Sequence, residues 1–143
     1  MSGGGTYTLV AEVAAPATVA VGALGRIAFD PGWYTYAGSA RGPGGFARLA
    51  RHREVAAGDR AVRHWHLDYL LGHEAVRVDA DVRTPDVDGE CALAAAAAGE
   101  AVAGFGCSDC DCDSHLHHYA QRDVALSATE RAHVRLAGGG MSN

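Results

Sequence analysis

Tyr36-Ala37-Gly38-Ser39-Ala40-Arg41-Gly42-Pro43-Gly44-Gly45-Phe46-Ala47-Arg48-Leu49-Ala50-Arg51-His52 reads as the end of a strand, a glycine-rich turn and the start of a helix. Four of the eight residues from Gly38 to Gly45 are glycine and Pro43 lies among them, so neither a strand nor a helix continues through the loop. Phe46, Leu49 and Ala50 then give an apolar stripe, which predicts a helix to about Glu54. Arg48 and His52 are four residues apart and share one face of that helix. Upstream, Gly5-Thr6-Tyr7 opens a run to Val13 that alternates Tyr, Leu and Ala against Thr, Val and Glu, the pattern of a strand with two distinct faces. Tyr7 and Tyr36 are therefore expected on neighbouring strands, with an arginine-histidine pair on one face of the helix that follows.

Working outward, Thr18 to Val21 predicts a short edge strand, ended by Gly22 and Gly25. Arg26–Phe29 and Trp33–Tyr36 flank Asp30-Pro31-Gly32 and predict a hairpin. Arg63 to Leu71 reads as a helix with Trp65, Leu67, Tyr69, Leu70 and Leu71 available for a core, and Ala75 to Val82 as a strand with one wet face. Val87 to Ala98 is an alanine-rich helix entered through Asp88-Gly89, with Cys91 read as core. Phe105 to Tyr119 is irregular and rich in Cys, Asp and His, becoming strand-like at His117, His118 and Tyr119. Ser127-Ala128-Thr129-Glu130 has the form of a capping box opening a last helix at about 127–137, stopped by Gly138-Gly139-Gly140. The expectation is one α/β (α+β) domain over 1–143, with its core in about 5–119 and a small, mainly antiparallel sheet flanked by helices.

A chain of 143 residues can bury its own core without disulfides or metals. No stretch approaches the roughly 20 apolar residues of a membrane span, and Met1 to Gly5 lack the basic and apolar regions of a signal peptide. The expected location is cytoplasmic, with no membrane partner. All twelve basic side chains are arginine. Residues 41–66 carry six of them against Glu54 and Asp59, a local charge of +4 in a chain of net −5. Such a segment is either a phosphate-binding surface or a solvated helix face, and both readings stay open.

Hydrolysis of a phosphodiester needs a base for water, a cation on the pentavalent transition state and, in most cases, a Lewis-acid metal. Tyrosine, with an ordinary pKa of about 10, serves as base only beside a metal or guanidinium. The planar fork of Arg48 matches phosphate oxygens. Glu90, opening the alanine-rich helix, offers a carboxylate for one magnesium ion with positions left for water and phosphate. Gly5-Thr6-Tyr7, Tyr36-Ala37-Gly38-Ser39, Arg48-Leu49 with His52, and Glu90 resemble the ordered motifs of the GIY-YIG nuclease superfamily. His64-Trp65-His66-Leu67-Asp68 and Phe105-Gly106-Cys107-Ser108-Asp109-Cys110, continuing through Cys112 to Ser114-His115-Leu116, are similar to a prokaryotic branch of it that occurs alone or joined to an endonuclease III-like repair enzyme.

The resemblance implies a central three-stranded antiparallel sheet and a nuclease acting on DNA with Mg²⁺ or Mn²⁺, in repair and beside an endonuclease III-like partner. It implies Tyr7 as base or water-orienting group, Tyr36 as its neighbour, Arg48 on the phosphate with His52 beside it, and Glu90 on the metal. Gly38, Ser39, Arg41, Arg51, His64 and His66 would line the substrate cleft. Thr6 and Ala37 stand where aliphatic residues are usual, and the sole asparagine, Asn143, lies far from where such sites carry one. The alternative of another class is a catalytically silent nucleic-acid-binding or adaptor module.

Two further clusters leave alternatives open. His66 and Asp68, with a distant histidine, could form a two-histidine, one-carboxylate iron site, although a helical His-x-Asp splays its side chains apart. Cys107, Cys110, Cys112 and His115 offer four soft ligands within nine residues, enough for a zinc site and a zinc-stabilised interaction domain. The other readings are reduced cysteines in a structured loop, or a disulfide, which a reducing cytoplasm disfavours.

Overall fold

A computed structural model describes residues 4–40, 45–58, 66–85, 87, 89–102, 104–105 and 114–138. Arg41, His64, Cys107, Cys110 and Cys112, and with them most of the proposed zinc cluster, lie outside the described residues.

Strand β1 (Gly5–Val13) is the second strand of a five-stranded sheet, between β4 (Gly32–Ser39) and β5 (Val76–Pro85). β7 (Leu116–Tyr119) continues the sheet beyond β4, and the two-residue β6 (Glu100–Ala101) closes that edge, all pairings being antiparallel. The structure is α+β as expected, with five sheet strands where the sequence led to three. β1 is buried along nearly its whole length, as its run of strand formers between two neighbours requires. A bulge opposite Val10 and Ala11 leaves Asp79 of β5 outside the register.

The expected hairpin around Asp30-Pro31-Gly32 does not form. β3 (Arg26–Phe29) pairs instead with β2 (Ala17–Ala20) in a separate ribbon, turned by a 3₁₀ segment over Gly22–Leu24. Gly32, at φ +145°, redirects the chain into the main sheet. β4 buries residues on both faces and pairs along both edges, with β1 and β7, whereas the short β3 exposes half of its residues.

The sheet separates two layers. Tyr7, Leu9, Ala11 and Val13 of β1 pack with Leu49 and Val55 of α1 (Ala47–Ala56), Leu67, Leu70 and Leu71 of α2 (His66–Leu71), and Phe29 of the ribbon. On the opposite face Ala37 meets Leu93 and Ala94 of α3 (Glu90–Ala96) and Ala132 and Leu136 of α4 (Arg122–Ala137). α3 stops at Ala96, two residues before the predicted end, because Ala97 turns extended and delivers the chain to β6. Cys91 is exposed on α3 and disulfide-bonded, against its expectation as a core residue.

α4 begins at Arg122, so Ser127-x-x-Glu130 lies inside the helix and is no capping box. Its buried side chains, Ala125, Thr129, Ala132, His133 and Leu136, follow helical spacing and draw the first turn onto the sheet upstream of Ser127. Arg122 fixes that start by an ion pair to Asp79 at 3.0 Å. His133, to which the sequence drew no attention, is a hub. Its ring nitrogens lie 2.8 Å from the hydroxyls of Thr8 on β1 and Thr84 on β5. Among the described residues no helix is long and apolar enough to cross a membrane.

Candidate functional site

Alternation along β1 and β4 sets Tyr7, Tyr36 and Gly38 on one face of the sheet, beneath α1. Tyr7 pairs with Gly38 across the ladder, and the glycine is required there. A Cβ at residue 38 would lie 2.4 Å from Cζ of Tyr7, so the tyrosine ring occupies the volume of the missing side chain. The ring is almost fully buried.

Its hydroxyl meets Nε2 of His52 at 2.9 Å, joining the first strand to α1. Burial pushes the Tyr7 phenol well above its ordinary range; the charges of Tyr36, Glu90 and Asp68 push the same way, and Arg48 opposes them. The side chains expected to form one site therefore act on a single oxygen. Burial lowers His52 to about 4, with Asp68 raising it and Arg51 and Arg48 lowering it further, so the imidazole is neutral near pH 7. Nδ1 of His52 faces Oδ1 of Asp68 at 3.9 Å, an electrostatic rather than hydrogen-bonding distance. With the ring proton on that nitrogen, Nε2 accepts and Tyr7 donates.

Asp68 has no exposed side chain, and both of its oxygens accept from Arg51, at 3.0 and 2.9 Å. Arg51, expected among the substrate ligands, is thus turned onto Asp68. A buried acid inside Leu67-Asp68-Tyr69-Leu70-Leu71 needs such a partner, and that mismatch of charge and setting was the signal available in the sequence. The iron-site reading fails here. Asp68 is clamped by Arg51, while the His66 ring stands edge-on to Phe105 at 5.7 Å.

Arg48 donates to the backbone carbonyl of Ser39 at 2.6 Å, which pins its guanidinium over the end of β4. Tyr36 is half-buried and stacks edge-on to Phe105 at 6.1 Å, with His115 tilted against it at 6.2 Å. Phe105 thus gathers Tyr36 and His66, a role its irregular surroundings in the sequence did not suggest. His115 shares a hydrogen bond of 2.9 Å from Nδ1 to the carbonyl of Ala37, which leaves Nε2 toward the Cys91 sulfur at 3.9 Å. Glu90 opens α3, where Gly89 N–H donates to Thr6 Oγ1 at 3.0 Å and anchors the helix start to β1. A single half-buried carboxylate suits Mg²⁺ or Mn²⁺, which keep waters and take phosphate oxygens. Among the described residues no three His, Cys, Asp or Glu side chains gather as a closed metal cage would need.

His133, like His52, is lowered to about 4 by burial. Both rings are neutral in the folded state, whereas in the unfolded chain they take a proton near their ordinary 6.5. Their contribution is fully present above about pH 6.5 and is lost as pH falls toward 4, by at most about 3 kcal/mol each. The urea midpoint should accordingly drop between pH 7 and pH 4.5; equal midpoints would contradict the assignment of two buried neutral histidines.

No curated protein and no solved structure matches the chain. A family model does, over residues 6–138, which takes in every described element of the sheet and both helical layers. The chain belongs to that family, the domain of unknown function DUF123.

Proposed function

We propose that this domain is a GIY-YIG-type phosphodiester hydrolase acting on DNA with Mg²⁺ or Mn²⁺. The observation that carries the reading is the buried Tyr7–His52 hydrogen bond on whose phenol oxygen the charges of Arg48, Tyr36 and Glu90 all act.

A phenol this deeply buried does not ionise by itself. A relay avoids that difficulty: Tyr7 passes its proton to Nε2 of His52 while it takes one from the attacking water, and the phenol stays neutral throughout. The imidazolium formed faces Asp68, whose negative charge offsets it, and Arg51 holds Asp68 in place. A bound phosphodiester adds negative charge nearby, which favours the protonated form of His52 and strengthens it as proton acceptor when substrate is present. Arg48, fixed by the Ser39 carbonyl, is placed to stabilise the equatorial oxygens of the transition state. Glu90 would hold the divalent ion, whose chemistry is to neutralise charge on the phosphoryl and leaving oxygens.

The test is nicking of supercoiled, branched and nicked DNA by the purified domain with Mg²⁺, Mn²⁺ or EDTA. Cleavage is expected with either metal and not with EDTA, and Glu90→Ala should lower it by at least about 10²-fold. Cleavage that persists in EDTA and is untouched by Glu90→Ala would remove the reading. DNA binding without cleavage under any metal would favour a silent binding module.

A further inference from the structure

β5 runs along the open edge of the sheet, and Arg83 on it pairs directly with Tyr7 of β1, so its side chain leaves the same face as the tyrosine. Three features set this arginine apart. Its Nε donates to Oδ1 of Asp81 at 2.7 Å, its guanidinium lies over the Phe46 ring at 5.3 Å from the centroid, and its side chain is 47% exposed. The carboxylate and the ring orient the fork, while its terminal nitrogens make no hydrogen bond to another described residue.

Asp81 cannot neutralise this cation, because it also accepts from Arg53 of α1 at 2.5 Å. Two guanidiniums share one carboxylate. The Arg53–Asp81 pair ties α1 to β5, but Arg83 and Asp81 are two apart on one strand, so their pair adds no tertiary link. What it achieves is to present a stacked, pre-oriented, half-exposed arginine one strand from Tyr7. An arginine held over an aromatic ring and by a carboxylate through Nε keeps its terminal nitrogens for bidentate contact with a phosphate. Being fixed in advance, it loses less side-chain freedom on binding than a mobile one.

We propose that Arg83, oriented by Asp81 and Phe46, binds a backbone phosphate of the nucleic-acid strand beside the one engaged by Arg48, and that the edge of β5 with the start of α1 forms a strand-docking ledge. The choice of nucleic acid over another polyanion rests on the hydrolase reading, but the ledge needs no catalysis.

Fluorescence anisotropy in EDTA, with labelled single-stranded and duplex DNA from 50 to 300 mM salt, tests it. Arg83→Gln should weaken binding about fivefold at the lowest salt and lower the slope of log affinity against log salt by about one. Arg83→Lys should restore the slope but not the full affinity, because the charge returns without the stacked fork. Arg77→Gln removes a cation that also sits by a ring, Trp33 at 5.8 Å, and pairs with Glu12, but on the opposite sheet face. It should change nothing. Wild-type affinity and slope in Arg83→Gln, equal losses in Arg77→Gln, or no binding of either DNA by the wild type would each overturn the proposal. Displacement of DNA as effectively by polyglutamate as by unlabelled DNA would overturn nucleic acid as the occupant. Weakened binding by Arg83→Gln in a protein that cleaves nothing would sink the hydrolase reading and leave the ledge standing. Metal-dependent cleavage with unchanged Arg83→Gln binding would do the reverse.

Discussion

Tyr7→Phe is expected to lower metal-dependent cleavage by about 10²–10⁴-fold while leaving DNA affinity within about twofold of wild type. The substitution removes one oxygen and keeps the ring that fills the space over Gly38, so packing on that face survives. What disappears is the hydroxyl 2.9 Å from His52, through which the proposed relay passes a proton to that ring. The fold should change little: one buried hydrogen bond contributes about 1 kcal/mol, set against the removal of a polar atom from an apolar setting. Single-turnover rates and anisotropy on the same DNA separate the two effects. Loss of rate and of affinity together would mean that Tyr7 holds substrate rather than moving a proton. An unchanged rate would end the relay mechanism.

Asp68→Ala should produce the largest loss of stability of any polar substitution near the site, about 3–5 kcal/mol, as expected when one partner of a buried ion pair is removed. The carboxylate is fully buried, and it satisfies Arg51 through two hydrogen bonds. Arg51 keeps 16% of its side-chain exposure, enough to reach water in part, which places the loss toward the lower figure. For a chain of this length the melting temperature should fall by about 10 °C. The double variant Arg51→Met, Asp68→Leu should recover much of this, since no uncompensated charge is then left inside. Calorimetry on the three variants checks it. A single variant within about 1 kcal/mol of wild type would show that Asp68 is not the charge on which this layer depends.

The features that could be read from the chain were those set by local chemistry. The alternation from Tyr7 to Val13 marks β1, and the spacing of Arg48 and His52 puts both on the inner face of α1. Glycine 38 could be noticed but not explained, because the ring it accommodates lies thirty-one residues upstream. Pairings escaped the sequence where several strands could satisfy the same pattern. β3 and β4 both suit a hairpin, yet β4 takes β1 and β7 as its neighbours while β3 pairs with β2 in a separate ribbon. The last helix was misplaced because Ser127 and Glu130 satisfy a local rule, while burial of Ala125 lies beyond any local rule. His133 and Arg83 were missed for a related reason. Each is an ordinary polar residue in its own segment and acquires a role only from what another strand sets beside it.

The close approach of Gly38 to Tyr7 also divides the surface into a part that cannot vary and a part that can. Any larger residue at 38 would drive the tyrosine ring off its seat, and the oxygen at its tip would move away from His52. Arg83, half-exposed on the rim, can be exchanged without disturbing that centre. Across related chains, adaptation to new substrates should therefore be written along the rim of the cleft, with its floor held constant.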